Sequence, residues 1–187
     1  MLYVVDEVIG LTYLDKIMYV ICKKSSTIRL YNTDTLSPLD VVIDVTGVRH
    51  PTIIVVCRHD RQLYIADYFL QRASIWRVSV DDHSYVKWMI PQFGLQHLWS
   101  TSRHLFMTSW EPPTVRQYNT TNKQLLCVVP LPQDVGYVLD TTHGTFVVGH
   151  RDTSQDKRQC VVSEMLRFCH VLQHYYHTVM NAVKSVA

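Results

Sequence analysis

Within CRHDR (57–61), a thiol, an imidazole and a carboxylate stand close together: Cys57, His59 and Asp60. These types make a nucleophile when the imidazole takes the thiol proton and a third group orients the imidazole. A simpler reading is available. Polar residues packed between two apolar runs, TIIVVC (52–57) and QLYIAD (62–67), are what a tight turn between strands carries. We take CRHDR as a turn.

Two other groupings have metal-ligand types. His170, His174 and His177 fall at i, i+4 and i+7, on one face of a helix. They lie opposite an apolar stripe and no carboxylate accompanies them, so they read as a solvated polar face. Asp44, Asp67 and Asp140 stand near loop positions and could converge on a central cation, but they sit at different places in the sequence pattern. There is no G-x-S-x-G, H-E-x-x-H, phosphate loop or G-x-G-x-x-G. No catalytic residue, metal ligand or cofactor is expected.

The chain has 187 residues, 47% hydrophobic and 18% charged, with a net charge of +2. That is enough apolar material for one domain with a real core, and too little charge for a disordered segment. Acids and bases are well mixed, so no field is present that would grip nucleic acid. Cys22, Cys57, Cys127, Cys160 and Cys169 show no C-x-x-C spacing, and four of them lie in or beside apolar runs. They read as buried, reduced thiols, which implies a reducing, cytoplasmic compartment. The start, MLYVVDEVIG, carries Asp6 and Glu7 where a signal peptide needs positive charge. No apolar run is long enough to span a bilayer.

The elements that position these residues repeat. KIMYVI (16–21), QLYIAD (62–67), HLFMTS (104–109) and GTFVVG (144–149) each contain one aromatic: Tyr19, Tyr64, Phe106 and Phe146. These are 45, 42 and 40 residues apart. After three of them come STIRLYN (26–32), SIWRVSV (74–80) and TVRQYNT (114–120), then turn-prone residues, then another apolar run. Tyr31, Val78 and Tyr118 take one position in this scheme. The unit reads as four short antiparallel strands, and a period near 40 is that of propeller blades. The expected fold is all-β: an incomplete or small β-propeller of about four blades. Residues 1–162 form it, with units near 10–46, 50–92, 94–133 and 135–162. Over 163–187 the period changes: Met165, Phe168, Leu172, Tyr176, Val179, Val183 and Val186 recur at three and four, which predicts a C-terminal amphipathic helix.

The segment RQLYIADYFLQRASIWRVSVDD (61–82) resembles an NHL repeat. Leu63, Tyr64, Ile65, Ala66 and Asp67 match its first part, and Ile75, Arg77, Val78 and Asp81 match its second more loosely. The chain departs from that family in lacking its frequent Gly before the second strand. The resemblance implies a non-catalytic protein-binding propeller module, or part of a longer propeller. The alternative it implies is a lactonase-like hydrolase with a central divalent cation. In a propeller, loops between second and third strands gather on one face. That face would carry Asp67, Tyr68, Phe69, Arg72, Trp110, Glu111 and Arg151, aromatic and fork-donor types that suit a protein partner. No membrane or nucleic-acid partner is expected, and exposed blade edges would favour self-association.

Overall fold

The computed structural model describes residues 7–69, 72–101, 103–130, 135–140, 145–152 and 159–166; from 135 on, the description is of the backbone. Among the described residues fifteen strands form four antiparallel meanders. The first sheet holds β1 (Val8–Leu14), β2 (Ile17–Cys22), β3 (Thr27–Asn32) and β4 (Pro38–Asp44). The second holds β5 (Pro51–Cys57), β6 (Gln62–Phe69), β7 (Arg72–Ser79) and β8 (Tyr85–Met89). The third holds β9 (Leu95–Ser100), β10 (His104–Trp110), β11 (Pro113–Asn119) and β12 (Leu125–Pro130). The fourth has three strands, β13 (Val135–Asp140), β14 (Thr145–Asp152) and β15 (Gln159–Leu166). First strands meet in series: β1 lies against β5, β5 against β9, and β9 against β13. The result is an open, propeller-like array.

The repeat holds at the level of register. Tyr19, Tyr64, Phe106 and Phe146 all lie in second strands. In the first three sheets they face Leu30, Arg77 and Gln117 on the third strand. Tyr31 faces Met18, Val78 faces Leu63 and Tyr118 faces Leu105, so these three do share one place.

Tyr-Asn-Thr stands at both 31–33 and 118–120, and its asparagine explains the recurrence. Asn32 Oδ1 accepts the N–H of Asp34 (2.9 Å) and of Thr35 (3.0 Å). Asn119 Oδ1 accepts the N–H of Thr121 (2.8 Å) and of Asn122 (3.1 Å). Asn is chosen because its short amide closes the turn on its own backbone. Four residues after the first residue of each turn (Asn32, Ser79, Asn119), the chain takes a left-handed φ: 55° at Leu36, 59° at His83 and 63° at Lys123.

The core sits between sheets. Tyr19, Ile21, Ile28 and Leu30 of the first sheet pack against Ile54, Leu63, Ile65, Trp76 and Val78 of the second. Tyr64, Ala66, Ile75 and Trp88 of the second pack against Leu98, Leu105, Met107 and Tyr118 of the third. Both faces of the second sheet are therefore covered, which is why its middle strands read as continuous apolar runs. Outer strands are half in solvent, and Val42, Val86 and Val128 are exposed.

One expectation needs correcting. Residues 163–166, placed at the start of a helix, belong to β15, where Ser163 faces Val148 and Met165 faces Phe146. The remainder of that predicted helix, with its three histidines, and the strand-like LYVVD (2–6) lie outside the described residues.

Candidate partner-binding cleft

A cleft of about 360 Å³ opens where the second and third sheets meet. Thr52, Ala66, Asp67 and Tyr68 line one side, and Leu95, Gln96 and His97 line the other. It exists partly because a side chain is small. Ala66 follows the repeat aromatic by two places, where β2 has Ile21.

The second-sheet wall is fixed by Asp67. Its side chain is 4% exposed, and its Oδ1 accepts backbone N–H bonds from Arg49 (3.0 Å) and His50 (2.6 Å). The Tyr68 N–H donates to the His50 carbonyl at 2.9 Å. The loop before β5 is thereby tied to the end of β6, and Tyr68 projects, 45% exposed, from a rigid backbone. Thr52 Oγ1 adds a bond to the Ala66 carbonyl at 3.2 Å.

Beside the opposite wall lies Arg116 of β11. Its Nη1 donates to Ser109 Oγ (2.8 Å) and Thr114 Oγ1 (2.5 Å), and its guanidinium stacks 4.0 Å from the Phe93 ring centroid. Ser109 in turn donates to the Pro112 carbonyl at 2.7 Å. Phe93 directly precedes the lining stretch that begins at Gly94, and Ser109 pairs with Leu95. Among the described residues no carboxylate forms an ion pair with Arg116. This half-buried cation is held by hydroxyls and an aromatic face alone.

The seven residues expected on this face divide. Asp67 and Tyr68 meet at the cleft, the first as a buried brace and the second as an exposed contact. Arg72 is exposed and pairs with Phe69 across the end of the β6–β7 hairpin. Trp110 ends β10, and Glu111 is exposed in the turn after it, before a cis bond to Pro112. Arg151 lies on β14, opposite Cys160. Arg116, Phe93 and His97 were not anticipated. The sequence signal available for Arg116 was its place in the repeat, which Arg29 and Trp76 share.

The opposite end of the sheets holds the Cys57–His59–Asp60 grouping, and it is a turn. Cys57 is fully buried, and burial pushes its thiol up from the ordinary value. His59 Nδ1 pairs with Asp60 at 2.8 Å, and its Nε2 accepts from Arg103 Nε at 3.1 Å. Both ring nitrogens are committed away from the thiol, so no nucleophile–base pair forms. Burial alone would raise the Asp60 carboxyl, but hydrogen bonds from Thr120 and His59 outweigh it and hold the group below the usual carboxylate value. Thr120 belongs to the third sheet's last turn, so this network fastens two sheets together. Among the described residues no three His, Cys, Asp or Glu side chains gather to hold a metal ion. Asp44 ends an outer strand, bonded by Ser26 Oγ at 2.7 Å.

Cys22 and Cys57 are buried thiols outside any disulfide, whereas Cys127 is disulfide-bonded. Among the described residues no helix is long and apolar enough to cross a membrane.

No protein-family model matches the chain, and no curated protein matches it in sequence. Solved structures do. A chain of the nidogen/laminin complex is 16% identical, with a TM-score of 0.58, over 78% of this chain and 57% of that one. The β-propeller domain of the trilobed protease from Pyrococcus furiosus, described as having an open velcro topology, is 11% identical, with a TM-score of 0.61, over 88% and 55%. Hydrazine synthase of Kuenenia stuttgartiensis is 9% identical, with a TM-score of 0.64, over 87% and 47%. The chain spans about half the length of these structures. Together with the four meanders, the likeness defines a propeller-like, multi-bladed all-β fold. It does not single out NHL repeats, and it includes both an enzyme and a protein complex.

Proposed function

We propose that the chain is a non-catalytic protein-binding module built on NHL-like blades. Its cleft between the second and third sheets receives an extended, acidic segment of a partner protein. One observation carries this reading: on one wall an exposed tyrosine held by a buried carboxylate, and behind the other wall a half-buried arginine that forms no ion pair among the described residues. Aromatic and arginine side chains on rigid supports are the types that dominate interface energetics. A guanidinium stacked on a ring is preorganised for a carboxylate. The likeness to a chain of the nidogen/laminin complex is consistent with a propeller that meets another protein.

The test is an array of random 12-residue peptides probed with the labelled chain. Bound peptides should be enriched in Asp and Glu. Tyr68→Ala, Arg72→Ala and Arg116→Gln, each confirmed folded by circular dichroism, should lose at least tenfold in affinity for them. Unchanged binding by all three variants would remove the cleft from consideration.

A further inference from the structure

The joint between the first and second sheets and the joint between the second and third differ at their hairpin ends. In the first joint the connection from β4 to β5 closes the mouth. Val45 and Val48, the first and fourth residues after β4, are 0% and 5% exposed and share a buried cluster with Ile21 and Trp76. Gly47, between them, stands over the Trp76 ring, where an added Cβ would come within 2.7 Å. The Val45 N–H donates to the Ser26 carbonyl at 2.9 Å, and the Val48 N–H to the Val45 carbonyl at 3.1 Å, so this plug is tied in place.

The second joint has no such plug. Its connection, 90–94, is one residue shorter than 45–50. The first and fourth residues after β8 are again apolar, but Ile90 is 52% exposed. Phe93 is half-buried, held beside the wall by the Arg116 guanidinium on its ring. Pro91 is the buried residue of this connection. The cleft opens at this mouth. Ile53 on one wall and Leu95 on the other are half-buried and lie at the edge of the core beneath. Arg116 holds in the third sheet the register place that Trp76 holds in the second, facing Met107 as Trp76 faces Ile65.

We propose that the cleft takes two aliphatic side chains, three residues apart with an acid between them, from the partner segment. The partner supplies to the second joint the plug that Val45 and Val48 supply to the first. This rests on the binding reading above and adds the apolar half of what is recognised. The chain itself shows which side chains fill such a mouth. They would cover Ile53 and Leu95 and extend the core, which is the favourable term. The acid follows from the exchange of Trp76 for Arg116. A segment laid into the second joint as 45–48 is laid into the first brings its third residue to a guanidinium instead of an indole, and a guanidinium pairs with a carboxylate.

The experiment is fluorescence anisotropy with short labelled peptides in a Gly-Ser background. The first carries Val-Thr-Asp-Val, the plug sequence with its glycine replaced by Asp. The second carries Ser-Thr-Asp-Ser and the third Val-Thr-Asn-Val. The first should bind about tenfold or more tighter than either of the others. Ile53→Ala and Leu95→Ala, with melting curves confirming the fold, should narrow the gap between the first and second peptides. Ile90→Ser should leave every affinity unchanged. Equal affinity for the first two peptides overturns the proposal and leaves acidic recognition standing. A valine preference that survives both wall variants overturns it as well, since the valines then bind elsewhere. A rise in affinity with Ile90→Ser overturns it by making this chain's own Ile90 the occupant. If the random array selects acidic peptides and Val-Thr-Asp-Val does not bind, this proposal alone fails; if the array selects none, the binding reading fails with it.

Discussion

Replacing Asp67 with alanine separates two roles that its position allows. If Asp67 braces the loop before β5, its loss is a stability effect. Its Oδ1 accepts the N–H groups of Arg49 and His50, at 3.0 and 2.6 Å, from a side chain that is 4% exposed. Leaving a donor without its acceptor costs about 1–3 kcal/mol when it is fully buried. Both N–H groups here are part-buried, so water recovers some of that, and about 1–1.5 kcal/mol each is the appropriate share. The expected cost is about 2–3 kcal/mol, or roughly 4–12 °C in Tm for a domain of this size. Asp67→Asn keeps an oxygen in place but loses the charge, and should cost about 1 kcal/mol. Thermal unfolding followed by circular dichroism gives the Tm values, and denaturant titration checks that the transition remains two-state. Peptide binding measured below the transition should persist in Asp67→Asn. A Tm for Asp67→Ala within 1 °C of wild type, with peptide binding lost, would refute the brace and make Asp67 a direct contact.

Two further outcomes follow from local geometry. Gly47 has φ +109°, and a Cβ there would come within 2.7 Å of the Trp76 ring, so Gly47→Ala should cost about 1–3 kcal/mol and lower Tm measurably; an unchanged Tm would show that the ring moves freely. The Asp60 carboxyl has a lower pKa folded than unfolded, so its stabilisation is complete above about pH 4 and disappears as pH falls through the folded value. The Tm gap between wild type and Asp60→Asn should therefore be present at pH 7 and shrink by about pH 3; a gap of constant size would contradict the carboxylate's role.

How much of this could be read in the sequence depends on the range of each interaction. The aromatics at 19, 64, 106 and 146 recur because second strands are sandwiched between sheets, and that leaves a mark every 40 residues or so. Asn32 and Asn119 are legible for the same reason, since each acts on the backbone just after it. The role of Asp67 was not legible. Its partners are main-chain N–H groups, and any residue at 49 and 50 supplies those. Arg116 was missed because what distinguishes it is the lack of an ion pair among the described residues, and because its stacking partner, Phe93, is distant in sequence. The error at 163–166 has another cause. Four residues are too few to tell a period of 3.6 from a period of 2. Pairing with β14 decides, and it extends from Thr145–Leu166 to Asp152–Gln159.

The two ends of the sheets use their charges differently. Lys16, Arg61 and Arg103 each stand three residues before a repeat aromatic, in the turn between first and second strands. Lys16 pairs with Asp34 of its own sheet. Arg61 pairs with Asp15 of the preceding sheet and Asp81 of its own. Arg103 donates to His59 of the preceding sheet. Exposed pairs of this kind are individually weak. Their effect is geometric: each cation is held by a neighbouring turn, so this end offers a partner few charges that are not already matched. At the hairpin end the first sheet pairs Lys23 with Glu7, but the second and third sheets differ. Among the described residues Arg72, Glu111 and Arg116 form no ion pair, and Tyr68 is exposed at the same end. A protein that recognised this module at the turn end would have to break the ladder between sheets to gain its contacts. One that approached the hairpin end of the second and third sheets would meet Arg72 and Glu111 with no ion pair among the described residues to displace, and that asymmetry is the physical reason to look for the partner there.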